Sequence, residues 1–164
     1  RDTAQYAFVG GMCSKDVNPL VQGMQELREE ALAKLTPTQG DYLESRLAHH
    51  VRLCDEPMKD PRNTRHAWME VTAFHIHIPH PHVAYALELT PADGEDTTEA
   101  CWARVGTDKL WPSTAGRAAL DMYADHLKYL PLLTQSPLIP QREPRLLMLV
   151  LLLVALCWVV LLWL

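Results

Sequence analysis

The last nineteen residues, Leu146 to Leu164, read LLMLVLLLVALCWVVLLWL and contain no charge, amide, hydroxyl, Gly or Pro. As a helix rising about 1.5 Å per residue, the run is about 28 Å long, close to the hydrocarbon thickness of a bilayer. Its ten Leu and four Val favour insertion by about 4 to 8 kcal/mol. A soluble helix that is apolar all round needs neighbours on every side. A chain of 164 residues has little other apolar surface with which to wrap one. The run therefore predicts a single C-terminal transmembrane helix over residues 145–164, with the lipid bilayer and other membrane-protein subunits as its partners.

The flanks of the run assign it a direction. Arg142 and Arg145 precede it and nothing charged follows, so the positive-inside rule puts the rest of the chain on the matrix or cytosolic side. No ionisable group lies within the span, which excludes proton, ion or substrate transfer through it. The absence of small-xxx-small spacing disfavours a tight helix pair. Trp158 and Trp163 lie toward the far end, where indoles prefer the interface.

The remaining residues suffice for one domain. The chain carries 15 Lys plus Arg against 20 Asp plus Glu, a net charge of -5, and no basic run. That excludes the electrostatic footprint of a nucleic-acid binder and the polybasic stripe of a lipid-surface binder. Cys13, Cys54, Cys101 and Cys157 form no CxxC pair and suit a reducing compartment. No secretory signal is present. The chain opens at Arg1; removal of an organellar transit peptide, or other trimming, would each give such a start.

Periodicity divides the chain into a short extended lead (1–15), a small, mainly helical domain (16–130), a proline-rich linker (131–144) and the anchor. Asn18 and Pro19 suit the N-cap and first position of a helix whose Leu20, Met24, Leu27, Ala31 and Leu35 recur at helical spacing. Thr36-Pro37-Thr38-Gln39 fits a capping box opening a second helix, with Leu43, Leu47, Val51 and Cys54 inward. So short a connection implies a helical hairpin. Phe74, Ile76 and Ile78, then Val83, Tyr85, Leu87 and Leu89, alternate with polar or small residues and predict a β-hairpin within 66–89, a proline-broken helix being the alternative. Ala100 to Trp111 reads as helical or irregular. Ser113 predicts the cap of a further helix reaching Leu130. Trp68, Trp102 and Trp111 are expected in the core. The fold class expected is thus mainly α, with a helical hairpin, a further helix, a small β-hairpin and one transmembrane helix.

The only cluster that invites a chemical reading is His75-x-His77-x-x-His80-x-His82. Imidazoles two apart on a strand share a face, and His is the commonest metal ligand near neutral pH. A second pair beyond the turn could complete a zinc or copper site. Against this, Pro79 and Pro81 leave the relative directions open, and a polar strand face explains the same residues. Phosphate-binding glycine motifs, a nucleophile elbow and Glu-x-x-His pairs are absent.

With no catalytic constellation, the architecture predicts no enzyme and no cofactor. The expectation is a structural accessory subunit of a membrane complex, most concretely a respiratory complex or ATP synthase of the mitochondrial inner membrane, with the domain on the matrix side. The alternatives are a cytosol-facing, tail-anchored adaptor of the endoplasmic reticulum or outer mitochondrial membrane, and a membrane protein that binds metal through the histidine cluster.

Overall fold

A computed structural model describes residues 5–93, 97–106, 108–112, 118–139 and 148–154. Two expected helix starts hold in it, although the first helix ends before Ala31 and Leu35, which its spacing includes. Helix α1 spans Pro19–Glu30, with the Asn18 side chain accepting from the Leu20 amide and Pro19 opening the first turn. Helix α2 spans Pro37–Leu47 behind a complete capping box between Thr36 and Gln39. Each cap satisfies amides that the first turn leaves without an intrahelical partner. Arg28 and Glu44 form an ion pair between the two helices at 2.5 Å. Ala31, Leu32 and Leu43 form their shared core with Leu87.

The expected mainly helical class is overturned. Only two further α-helices, α3 (Pro81–Ala86) and α4 (Leu130–Thr134), are present among the described residues, and both are short. The rest is organised by two antiparallel sheets. The smaller pairs β2 (Val51–Met58) with β3 (Met69–His75). Val51 and Cys54 thus lie on a strand and not on a second-helix stripe, because α2 stops at Leu47. The hairpin partner of β3 precedes it in the chain; beyond it, Pro81 opens α3 in place of a second strand.

The larger sheet has the order β1-β6-β4-β5, built from β1 (Gln5–Phe8), β4 (Thr97–Val105), β5 (Leu110–Pro112) and β6 (Met148–Val154). The expected extended lead is therefore partly a strand of the chain's own sheet. Residues 97–112, read as helical or irregular, form a hairpin, with Ala103 opposite Pro112 and Val105 opposite Leu110. Gly106 lies at its turn because a Cβ there would come within 2.4 Å of the Trp111 ring.

The transmembrane helix is overturned as well. Met148–Val154, inside the apolar run, is a central strand paired with β1 on one side and β4 on the other. Among the described residues no helix is long and apolar enough to cross a membrane. The physical reason for the misreading is that continuous apolarity does not specify backbone conformation. A central strand also reads as an unbroken apolar run, and periodicity cannot separate it from a helix. Ala155 to Leu164, including Trp158 and Trp163, lie outside the described residues, as do Arg142 and Arg145.

Over residues 118–123 the helix expected from Ser113 to Leu130 is replaced by an extended stretch. Ser113 lies outside the described residues, and Leu120 to Tyr123 instead run along both edges of the larger sheet. The Leu120 amide donates to Leu110 O at 2.8 Å on β5. The Tyr6 amide donates to Asp121 O, and the Tyr123 amide to Tyr6 O, both at 2.8 Å on β1. One short segment thereby bridges the two outer strands and curls the sheet around a core of Ala103, Leu110, Met122 and Leu130. Ala124, with φ at 47°, ends the extended stretch. A 3₁₀ turn at His126–Tyr129 then leads directly into α4. Ser136 and Ile139 are buried, so this part of the proline-punctuated stretch is packed in the domain. Pro140 and Pro144 lie outside the described residues.

The two architectures differ in what truncation does. A chain ending at Ile139 would keep a tethered domain intact, but it removes β6 and leaves β1 and β4 without their shared neighbour. The truncated chain is expected to lose its cooperative thermal transition, followed by far-ultraviolet circular dichroism. A transition matching that of the full chain would contradict the central position of β6.

Candidate functional site

The four histidines of the sequence cluster separate into two unlike pairs. His75 ends β3 and is buried, its Nδ1 2.7 Å from the Ser136 hydroxyl on the turn after α4. Its ring meets the His77 ring edge-on, with centroids 5.8 Å apart. Burial, followed by the charge of His77, pushes the His75 pKa down to about 4. Burial, followed by Arg46, also lowers that of His77. The Arg46 Nε donates to the His77 carbonyl at 3.0 Å.

The second pair lies beyond Pro79. His80 sits at the N-cap of α3 without a side-chain capping bond, and His82 follows in the first turn. Their rings are 5.5 Å apart and both residues are exposed. Among the described residues no group of three or more His, Cys, Asp or Glu is placed to hold a metal ion. The buried His75 is poised to remain neutral. The His75–Ser136 bond joins β3 to the turn after α4, where it satisfies two buried polar groups at once.

A different constellation lies at the start of the chain. The Gly10 amide donates to the Glu30 carboxylate at 3.2 Å, in a buried environment. Glu30 is 8% exposed although it is charged. Next to it, Gly11 packs so closely on Glu26 that a Cβ would fall 2.0 Å from the carboxyl carbon. Glu26 and Glu30 are one turn apart on α1, a spacing that puts both on the same face. Glu26 also accepts from Gln22 Nε2 at 2.6 Å, and Glu29 from Gln25 Nε2 at 2.9 Å. The Gly10-Gly11 backbone is thus fitted against a carboxylate-bearing helix face.

The end of α1 is held in turn by the segment before β4. The Ala33 amide donates to Thr90 O at 3.0 Å, the Thr90 amide to Ala31 O at 2.7 Å and the Ala92 amide to Glu29 O at 2.7 Å. Sequence reasoning passed over this constellation. The available signal was the i, i+3 and i+4 spacing of Glu26, Glu29 and Glu30 in a helix that follows a Gly-Gly pair.

The three tryptophans also divide. Trp68 is 54% exposed and donates its indole N–H to Glu70 at 2.9 Å. Trp102 packs partly buried on the helical core. Trp111 is half-buried over Gly106. His49, His50 and His66 are exposed.

No protein-family model matches this sequence, and no curated protein matches it.

Two outcomes follow from these geometries. His75 has a folded pKa of about 4, below its unfolded value of about 6.5. Its contribution is therefore complete above pH 6.5 and is lost as pH falls toward 4. The loss is about 3 kcal/mol. Denaturant unfolding across pH 7 to 4 should show that decline, and His75→Asn should reduce its slope by one proton. Separately, Gly11→Ala must move the Glu26 carboxylate, the far end of a flexible side chain, and should cost less than about 1 kcal/mol; a larger fall in the denaturation midpoint would show that Glu26 cannot move aside.

Proposed function

We propose that this chain is a non-catalytic accessory subunit that acts by binding other protein subunits. The observation that carries this reading is three exposed apolar residues close in sequence where the chain enters α1. Met12 is 46% exposed, Val17 36% and Val21 61%. Single exposed apolar residues are ordinary on any protein. Three within one short stretch favour a contact surface. A subunit of a membrane-protein complex, such as one of the mitochondrial inner membrane, remains the assembly this reading proposes, with attachment through protein contacts and not through a spanning helix. The apolar sequence after β6, Ala155 to Leu164, supplies a further segment of partner-binding composition.

In its native source the protein should migrate in an assembly well above its own 18.6 kDa on native electrophoresis in mild detergent. The triple substitution Met12→Gln, Val17→Thr and Val21→Thr should release it while leaving its circular dichroism unchanged. Migration of the unaltered protein as a monomer would refute the reading, as would retention of the triple variant in the assembly.

A further inference from the structure

His126 opens the 3₁₀ turn and is 1% exposed. Its Nδ1 accepts the Phe8 amide proton at 3.0 Å. An imidazole that accepts at Nδ1 carries its single proton on Nε2. That Nε2 is buried with no hydrogen-bond partner. The ring stands among Phe8, Tyr123 and Tyr129, with centroids 5.4, 6.2 and 6.4 Å away.

Phe8 is the last residue of β1, and its amide points to the same edge as the amide and carbonyl of Tyr6. Those Tyr6 groups pair with Asp121 and Tyr123. The outer edge of β1 is thus held by three backbone groups, and the imidazole supplies the third bond.

The groups around His126 decide what a second proton would meet. Asp60, on the loop after β2, has no side-chain exposure and is paired with Arg62 at 2.6 Å. Lys128, on the same turn as His126, donates to the Pro57 carbonyl at 3.3 Å and lies 3.2 Å from Glu56. The phenols of Tyr123 and Tyr129 stand on either side, and β1 itself brings only Phe8. Burial opposes the charged ring most, Asp60 favours it and Lys128 opposes it.

We propose that His126 is an acid-released latch on β1: a proton taken from solvent at Nδ1 abolishes the acceptor of the Phe8 amide and frees the outer edge of β1 from residues 121–126. The protonated ring has two N–H donors and no acceptor. The Phe8 N–H then faces another N–H, in a site where the unpaired donors are costly. The cheapest relief is local, since β1 has four residues and is an edge strand of its sheet. The opened edge exposes the ring to water, where it takes its proton readily.

Linkage fixes the size of the effect. The folded pKa of His126 is about 4, against about 6.5 when the ring is exposed. Between those values the opening equilibrium gains nearly tenfold per pH unit, so from pH 7 to pH 5 it rises about thirtyfold.

The test is amide hydrogen exchange by NMR on the full chain, with protection factors corrected for intrinsic exchange at each pH. From pH 7 to pH 5 protection at Tyr6, Phe8 and Tyr123 should fall about thirtyfold. Met24 on α1 and Leu43 on α2 report global opening, which exposes His75 as well as His126, so their protection should fall more steeply than the one-proton loss at β1. In His126→Asn the side-chain oxygen can take the place of Nδ1 and does not titrate, so the one-proton loss should vanish. Constant protection at Phe8 in the unaltered protein would overturn the latch. So would an equal loss in the variant, or a loss matched at Met24 and Leu43. If the variant does not fold, the titration of His126 followed by its ring carbon shifts decides the matter, because its midpoint must track the loss at Phe8.

Discussion

The larger sheet depends on β6 more than on any other strand. This strand comes from near the end of the chain and lies between β1, from the start, and β4, from the middle. Gln5 pairs with Val154 and Phe8 with Leu151 on one side. Ala103 pairs with Leu149 on the other. Each pairing closes a loop of tens of residues or more. The entropy of such closure grows slowly with length, but it is lost before any contact forms, so non-local strands assemble late. A central strand also loses most when removed, since both neighbours are then left with unpaired backbone groups.

Closure of the sheet by Leu120–Tyr123 follows from that arrangement. Once β6 has drawn β1 against β4, the outer edges of β1 and β5 come close enough for one extended segment to bond to both. Open strand edges invite pairing with other chains, and covering them is one of the ways folded proteins avoid it. The same closure brings Met122, Leu127 and Leu130 onto the core around Ala103 and Leu110. It also delivers His126 to the end of β1, where the imidazole finishes the edge that the backbone began.

The parts legible in the sequence were those with local chemistry. Asn18-Pro19 and Thr36-Pro37 announce helix starts because a cap is decided within four residues. The alternation around Phe74 also announces a strand, since a period of two is local, whereas the lead carries no such period and its strand does not show in the sequence. The partners of those strands were not legible. Val51–Met58 contains a proline and mixed polarity, and only its register with Met69–His75 defines it as a strand. Leu120, Tyr123 and Leu127 have helical spacing, yet the backbone groups of Leu120 and Tyr123 are taken by β5 and β1. The apolar run failed for the same reason, because its conformation is set by neighbours remote in sequence. The histidine pattern was visible, but Pro79 and the burial of His75 divide it. The Glu26–Gly11 contact was invisible because it is a fit across a turn, and a glycine's missing Cβ leaves no positive signal.

Several buried polar groups serve as ties between distant elements. His75 joins β3 to Ser136, Glu30 joins α1 to Gly10, and Thr72 donates to Asp55 across the smaller sheet at 2.5 Å. That last bond, together with Arg52, lowers the Asp55 pKa. Such groups contribute little net stability when satisfied and cost much when left alone. Their effect is selective: a mispaired strand would bury each of them without its partner, so the native register is favoured over its neighbours. In a chain whose apolar sequence is equally suited to a helix or a strand, that selectivity matters more than added burial. With His126, which joins the 3₁₀ turn to Phe8, two of the ties are imidazoles held neutral by burial, so the uniqueness of the fold is itself coupled to proton concentration.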